Sequence, residues 1–184
     1  MTLRRKVIFL TGQPGVGKTT VLLKTIEELK KRGLTVGGMI SKEVRENGSR
    51  IGFRITDLKN GREGWLAHVR QPTGPKIGRY TVCLSELDAI GVKAVLNAIK
   101  TADVVAIDEV GPMELFSSAF RNAVVKALNS NKTVLGVIHR RARHPLVDAI
   151  KKRGDVKIVE VTRTNRGILP RLVAEKIYTD VAND

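Results

Sequence analysis

The sequence is short of several things, and each shortage removes a class of protein. It has one cysteine, Cys83, in 184 residues. A single cysteine closes no intramolecular disulfide and makes no zinc site of the usual Cys/His kind. Cys83 reads as a half-buried strand residue within Tyr80–Leu84. Aromatic residues are scarce: four Phe, two Tyr and one Trp. That scarcity speaks against a single-strand binder that stacks bases on aromatic platforms, and Trp65 reads as a packing residue. No stretch approaches the ~20 apolar residues of a membrane helix. The longest apolar runs are Val7–Leu10, Val104–Ile107 and Val134–Ile138. The basic start, Met1–Lys6, leads into a run that ends at Thr11, too short for a signal peptide. A cytoplasmic protein without membrane association is expected.

Acidic residues are also few. Asp and Glu number 18 against 33 Lys and Arg, a net charge of +15. Such a chain is drawn to polyanions, whether nucleotides, nucleic acid or acidic membranes, and the charge alone does not choose among them. Heat-adapted surfaces carry balanced ion-pair networks, so adaptation to heat does not account for an excess of one sign.

What is present reads as a single domain over residues 1–184. A chain of this length hides about 70% of the surface its unfolded form exposes. Lys6–Thr11 is a strand ended by Gly12, and Lys18–Lys31 is a helix with an apolar face at Val21, Leu22, Ile26 and Leu29. A strand follows at Thr35–Ile40. Residues 41–84 read as an inserted antiparallel β-hairpin region: Asn47-Gly48 and Asn60-Gly61 are turn signals beside strands at Ile51–Thr56, Gly64–Val69 and Tyr80–Leu84. Gln71–Gly78, with two prolines and two glycines, is a loop. Helices are expected at Ser85–Lys100, Leu115–Leu128, Pro145–Lys152 and Ile168–Tyr178, and strands at Asp103–Asp108, Thr133–Ile138 and Val156–Val161. Residues 179–184 read as a flexible tail. Strands alternating with helices predict an α/β fold, a mostly parallel central sheet flanked by helices.

Gly12-Gln13-Pro14-Gly15-Val16-Gly17-Lys18-Thr19 fits G-x-x-x-x-G-K-[ST] at every fixed position, between a strand and a helix. Glycines let the backbone turn and aim N–H groups at phosphate oxygens, and the helix adds the positive end of its dipole. Lys18 reaches the β- and γ-phosphates, and the Thr19 hydroxyl holds Mg²⁺. Val104–Asp108 is a buried strand that ends in a carboxylate. Ligands of open α/β sheets bind at carboxyl strand ends, so Asp108 is expected beside Thr19 as the second metal residue. Glu109 follows as the base for the attacking water, with Glu43 a weaker rival. Arg140, Arg141 and Arg143 leave the Thr133–Ile138 strand at the same edge. One of them is expected at the γ-phosphate, with Arg140 the candidate. Arg163, Asn165 and Arg166 follow the last strand, where they are placed to touch base or ribose. His139 and His144 read as structural.

At these residues the sequence resembles a known family, the small thermostable nucleoside-triphosphatases of archaea and bacteria with their human cancer-related relative. The matching segments are Phe9–Thr20 (FLTGQPGVGKTT), Lys42–Phe53 (KEVRENGSRIGF), Asp108–Phe116 (DEVGPMELF) and Val161–Pro170 (VTRTNRGILP). They span most of the chain in order, and DEVGPMELF is far more specific than the phosphate loop. The resemblance implies a P-loop fold and Mg²⁺-dependent hydrolysis of ATP, GTP, CTP and UTP to diphosphate and phosphate. It places nucleotide contacts at Gly12, Gln13, Pro14, Gly15, Val16, Gly17, Lys18 and Thr19, with Thr20 beside them. Further contacts fall along Val104, Val105, Ala106, Ile107, Asp108, Glu109, Val110 and Gly111. One self-contained nucleotide site suits a monomer. Two other readings stay open: a small kinase of the same fold, and an RNA- or DNA-binding protein with regulated triphosphate turnover.

Overall fold

The computed structural model describes residues 7–183. Met1–Lys6, and with them the first residue of the expected Lys6–Thr11 strand, lie outside the described residues, as does Asp184 of the expected tail. The chain runs β1 (Val7–Thr11), α1 (Lys18–Lys31), β2 (Val36–Glu46), β3 (Ser49–Asp57), β4 (Glu63–His68), β5 (Lys76–Ile77) and β6 (Tyr80–Val82). It continues through α2 (Leu84–Glu86), a π-helical turn (Leu87–Val92), α3 (Lys93–Thr101), β7 (Val104–Val110) and a 3₁₀ turn (Glu114–Phe116). It closes with α4 (Ser118–Leu128), β8 (Thr133–Ile138), α5 (Pro145–Lys152), β9 (Val156–Glu160) and α6 (Leu169–Ala182).

The nine strands of the described residues join one sheet, in the order β5-β6-β4-β3-β2-β7-β8-β1-β9. From β2 to β9 neighbouring strands are parallel, and from β2 to β5 they are antiparallel. The expected mostly parallel sheet is therefore present, and β3 to β6 extend it sideways. Alternation along the strands divides the core in two. Val7 and Phe9 of β1 and Val105 and Ile107 of β7 face α3, α4 and α5. Ile8 and Leu10, with Val104 and Ala106, face α1 and α6. Both sheet faces are covered, which is why the parallel strands read as continuous apolar runs.

Several boundaries differ from the sequence reading. β2 runs to Glu46 rather than Ile40. It pairs with β7 only from Val36 to Met39 and with β3 from Met39 to Glu46. Its distal half therefore stands beyond the parallel strands and walls one side of their carboxyl edge. The 71–78 loop contains the short strand β5. α4 starts at Ser118 because Ser117 caps it, its Oγ accepting the Phe120 N–H at 3.0 Å; a Ser cap outcompetes the apolar periodicity that suggested Leu115. Cys83 lies just past β6 and is 2% exposed. Burial pushes its thiol up to about 11. α6 continues through Thr179 to Ala182, inside the segment read as a tail. Among the described residues no helix is long and apolar enough to cross a membrane.

Phe120 is fully buried in the α3–α4–α5 side of the core. Phe120→Ala is expected to lower the unfolding free energy by about 3–5 kcal/mol. The measurement is a lower denaturant midpoint at unchanged slope; a loss below about 1 kcal/mol would mean that the core closes around the space.

Candidate active site

The phosphate loop is shaped by backbone conformations that side chains resist. Gly17, the residue before α1, has φ 105°, and its carbonyl accepts the first helical bond, from the Val21 N–H at 2.9 Å. Gly12 has φ 151°, and a Cβ there would sit 2.6 Å from the Val161 carbonyl oxygen. The loop thus packs directly on the end of β9, and glycine is what permits it. Lys18 Nζ arches back over the loop and donates to the carbonyls of Gly12 (3.2 Å) and Gln13 (2.9 Å). The ammonium is therefore held against the loop, at the start of α1 where the positive end of the helix dipole lies.

Asp108 arrives from the other half of the site. The alternation that places Val104 and Ala106 on the α1 side places Asp108 there too, and its Oδ2 accepts the Thr19 hydroxyl at 2.7 Å. Burial pushes the Asp108 carboxyl up to about 7, Glu109 adds to that, and the Thr19 bond and Lys18 oppose it. The β7–β8 register shifts between Asp108 and Val110. That bulge inserts Glu109 as an extra residue and releases it from the alternation, so its carboxylate lines the cleft. Burial raises the Glu109 carboxyl, and Lys18 pulls it down. The glycine at 111 gives this side chain room: a Cβ there would lie 2.6 Å from Glu109 Oε1.

Glu114, to which the sequence reading gave no role, is 2% exposed. Burial beside Glu109 and Asp108 holds its carboxyl well above the usual range. It is thus a buried acid packed behind the bulge, beside both carboxylates of the site. The visible signal was a glutamate set in Pro-Met-Glu-Leu-Phe.

The cleft has a volume of about 860 Å³ and runs from the phosphate loop past Glu109 to the β2–β3 wall. Oxygen donors from Thr19 and Asp108 converge in it. That donor set suits Mg²⁺, which is held by one or two protein oxygens with the rest from phosphate and water. Among the described residues no cluster of three or more His, Cys, Asp or Glu forms a separate metal site.

Other expected residues fall as follows. Val104, Val105, Ala106, Ile107 and Val110 are fully buried; their side chains fill the core and carry the carboxylates rather than face the cleft. Arg140 lines the rim but pairs with Glu160 at 3.3 Å. Arg166 donates to the Val16 carbonyl at 3.2 Å and braces the phosphate loop from behind. Asn165 is occupied within its own loop, accepting the Thr162 N–H and donating to the Glu160 carbonyl, both at 2.8 Å. Glu43 stands on the wall, held by Arg45 at 2.8 Å and Arg50 at 3.2 Å, which keep its carboxyl below the usual range. His144 caps α5, accepting the Leu146 N–H. His139 lines the cleft instead.

Comparison with known proteins agrees with this arrangement. A family model described as NTPase matches residues 7–174. The nucleoside-triphosphatase THEP1 of Thermofilum pendens is 52% identical over 178 residues, covering 96% of this chain and 98% of that one. The chain belongs to the THEP1 nucleoside-triphosphatase family. The Methanosarcina acetivorans THEP1 is 45% identical, over 92% of this chain and 95% of its own. The crystal structure of THEP1 from Aquifex aeolicus superposes with a TM-score of 0.81 at 31% identity, covering 91% of this chain and 96% of that one. The solution structure of a human cancer-related nucleoside triphosphatase gives 0.75 at 38% identity, covering 90% and 94%. The resemblance drawn from the sequence motifs is thus correct at the level of family and fold.

In this THEP1-family chain the atom crowded by a Cβ at 111 is the end of a flexible side chain. Gly111→Ala should therefore leave stability within about 0.5 kcal/mol while displacing the Glu109 carboxylate. Triphosphate turnover is expected to fall about 100-fold, the scale of a 1 Å misplacement, with the melting temperature as control. Wild-type turnover in Gly111→Ala would show that the position of Glu109 does not matter.

Proposed function

We propose that the chain hydrolyses nucleoside 5′-triphosphates to the diphosphate and inorganic phosphate, with Mg²⁺ and with little selection among ATP, GTP, CTP and UTP. The observation that carries this reading is the 2.7 Å Thr19–Asp108 bond beside Lys18 and Glu109. It joins a phosphate loop, a pair of hard oxygen donors and a free carboxylate in one cleft. Membership in a family named for nucleoside-triphosphatase activity supports it.

Each part has a task. The loop N–H groups and Lys18 take the β- and γ-phosphates and stabilise the charge that grows on them in the transition state. Thr19 and Asp108 would hold Mg²⁺, which would supply positive charge to the phosphates. Glu109 accepts a proton from a water that attacks the γ-phosphorus. The new P–O bond forms as the bond to the β–γ bridging oxygen breaks, and the diphosphate leaves. Arg140 stands at the rim to meet γ-phosphate charge if it leaves Glu160. Base and ribose lie on the far side of the loop, in a hollow of about 490 Å³ lined by Pro14, Thr162 and Arg163, beside Arg166. A shallow hollow of this kind has no buried polar group to be left unpaired by the wrong base, which is what strong selection requires. Hence the breadth.

Phosphate release from the four triphosphates with Mg²⁺, and no other acceptor, tests the reading. Lys18→Ala should abolish it. Glu109→Gln should keep nucleotide binding and lose at least ~100-fold in turnover, the size of a general-base contribution. Asp108→Asn should raise the Mg²⁺ concentration for half-maximal rate. Release seen only after an acceptor or RNA is added would replace hydrolysis with transfer or with nucleic-acid-regulated turnover.

A further inference from the structure

His139 lines the cleft, takes no part in the proposed reaction, and is held by the fold as a donor. It follows β8, and β8 lies between β7, which ends in Asp108 and Glu109, and β1, which leads into the phosphate loop. A residue leaving β8 at its carboxyl end therefore emerges between the two halves of the site. The backbone fixes it there, its N–H donating to the Val110 carbonyl at 3.1 Å. The ring is fixed as well. Nδ1 accepts the Arg141 backbone N–H at 3.2 Å. A ring whose Nδ1 lone pair is engaged carries its proton on Nε2 when neutral. Partial burial, with Lys18 and Lys151 nearby, holds the imidazole pKa below the usual value, so the neutral tautomer dominates at neutral pH. Nε2–H has no protein partner among the described residues.

We infer that His139 is a catalytic residue of this site, donating its Nε2–H to an oxygen of the γ-phosphate and so distinguishing nucleoside triphosphates from diphosphates. The inference rests on the hydrolase reading for its effect on rate, and on geometry alone for its effect on binding. A neutral donor suits the place. Lys18 already supplies charge, and Arg140, the expected partner, is turned to Glu160 at 3.3 Å. The γ-phosphate is the group that faces Glu109, because the attacking water must lie between the carboxylate and the γ-phosphorus. The cleft wall that carries His139 also carries Lys18 and Glu109.

The test compares His139→Ala, His139→Gln and His139→Asn in turnover of ATP and in binding of ADP and of a β,γ-imido triphosphate. His139→Ala is expected to lose about 10²–10³-fold in kcat, the effect of removing one donor from a developing oxyanion. Its affinity for the imido triphosphate should fall about 10-fold, the size of a hydrogen bond to a charged group, with ADP affinity unchanged. Gln, whose amide reaches the place of Nε2, should restore part of both; Asn, which mimics Nδ1, should not. Equal losses for ADP and the triphosphate analogue would overturn the inference, as would kcat within about 3-fold of wild type. Rescue by Asn rather than Gln would assign the ring to its loop bond with Arg141 and overturn it too. If the wild-type protein released no phosphate, the hydrolase reading would fail, and the binding comparison would still judge His139.

Discussion

A carboxylate buried at the end of a central strand sets the terms for everything around it. Asp108 is 2% exposed, and an unpartnered charge at that depth costs several kcal/mol. Its partner is the Thr19 hydroxyl, 89 residues away in the chain. For those atoms to meet at 2.7 Å, the start of α1 and the end of β7 must be brought together, although β8 separates β7 from β1. α1 accomplishes this by lying back across β8 toward β2, the crossover that a parallel sheet requires. The sheet order, the direction of α1 and the packing of the loop on β9 are thus parts of one arrangement.

Alternation then assigns the two carboxylates. On β7 the even positions from Val104 face α1, so Asp108 reaches Thr19 without any local irregularity. Continued alternation would have sent Glu109 into the apolar core under α3 and α4. The bulge prevents it: Val110, rather than Glu109, joins that core. Glu114 is buried behind the bulge, and the glycine at 111 leaves space for the carboxylate that results. DEVGPMELF is therefore a single device, and its family specificity has a geometric basis.

The fold was legible because its parallel strands are covered on both faces and read as unbroken apolar runs. The phosphate loop was legible because few sequences satisfy its backbone. Asp108 followed from its place at a strand end. What the sequence hid were matters of partnership. Nothing local says that β2 runs on to Glu46, because its distal half is held only by β3. Nothing local separates His139 from His144. Both stand in one basic loop, and both accept a backbone N–H two residues on, yet one caps α5 and the other opens into the cleft. Asn165 looked like a ligand contact and is spent on folding its own loop. Glu114 drew no notice as a lone glutamate in Pro-Met-Glu-Leu-Phe and lies inside.

The choice between Glu43 and Glu109 shows how partnership decides chemistry. Position allows both, since each lines the cleft. Glu43 stands on the exposed wall between Arg45 and Arg50, which hold its carboxyl below the usual range. Its lone pairs are engaged, and a depressed pKa makes it a weak base. Glu109 is sheltered, its carboxyl raised by burial and only partly restrained by Lys18. General-base efficiency rises as the pKa of the base approaches the working pH. The same cleft thus holds one glutamate that braces a wall and one that is free to take a proton, and burial against ion pairing is what tells them apart.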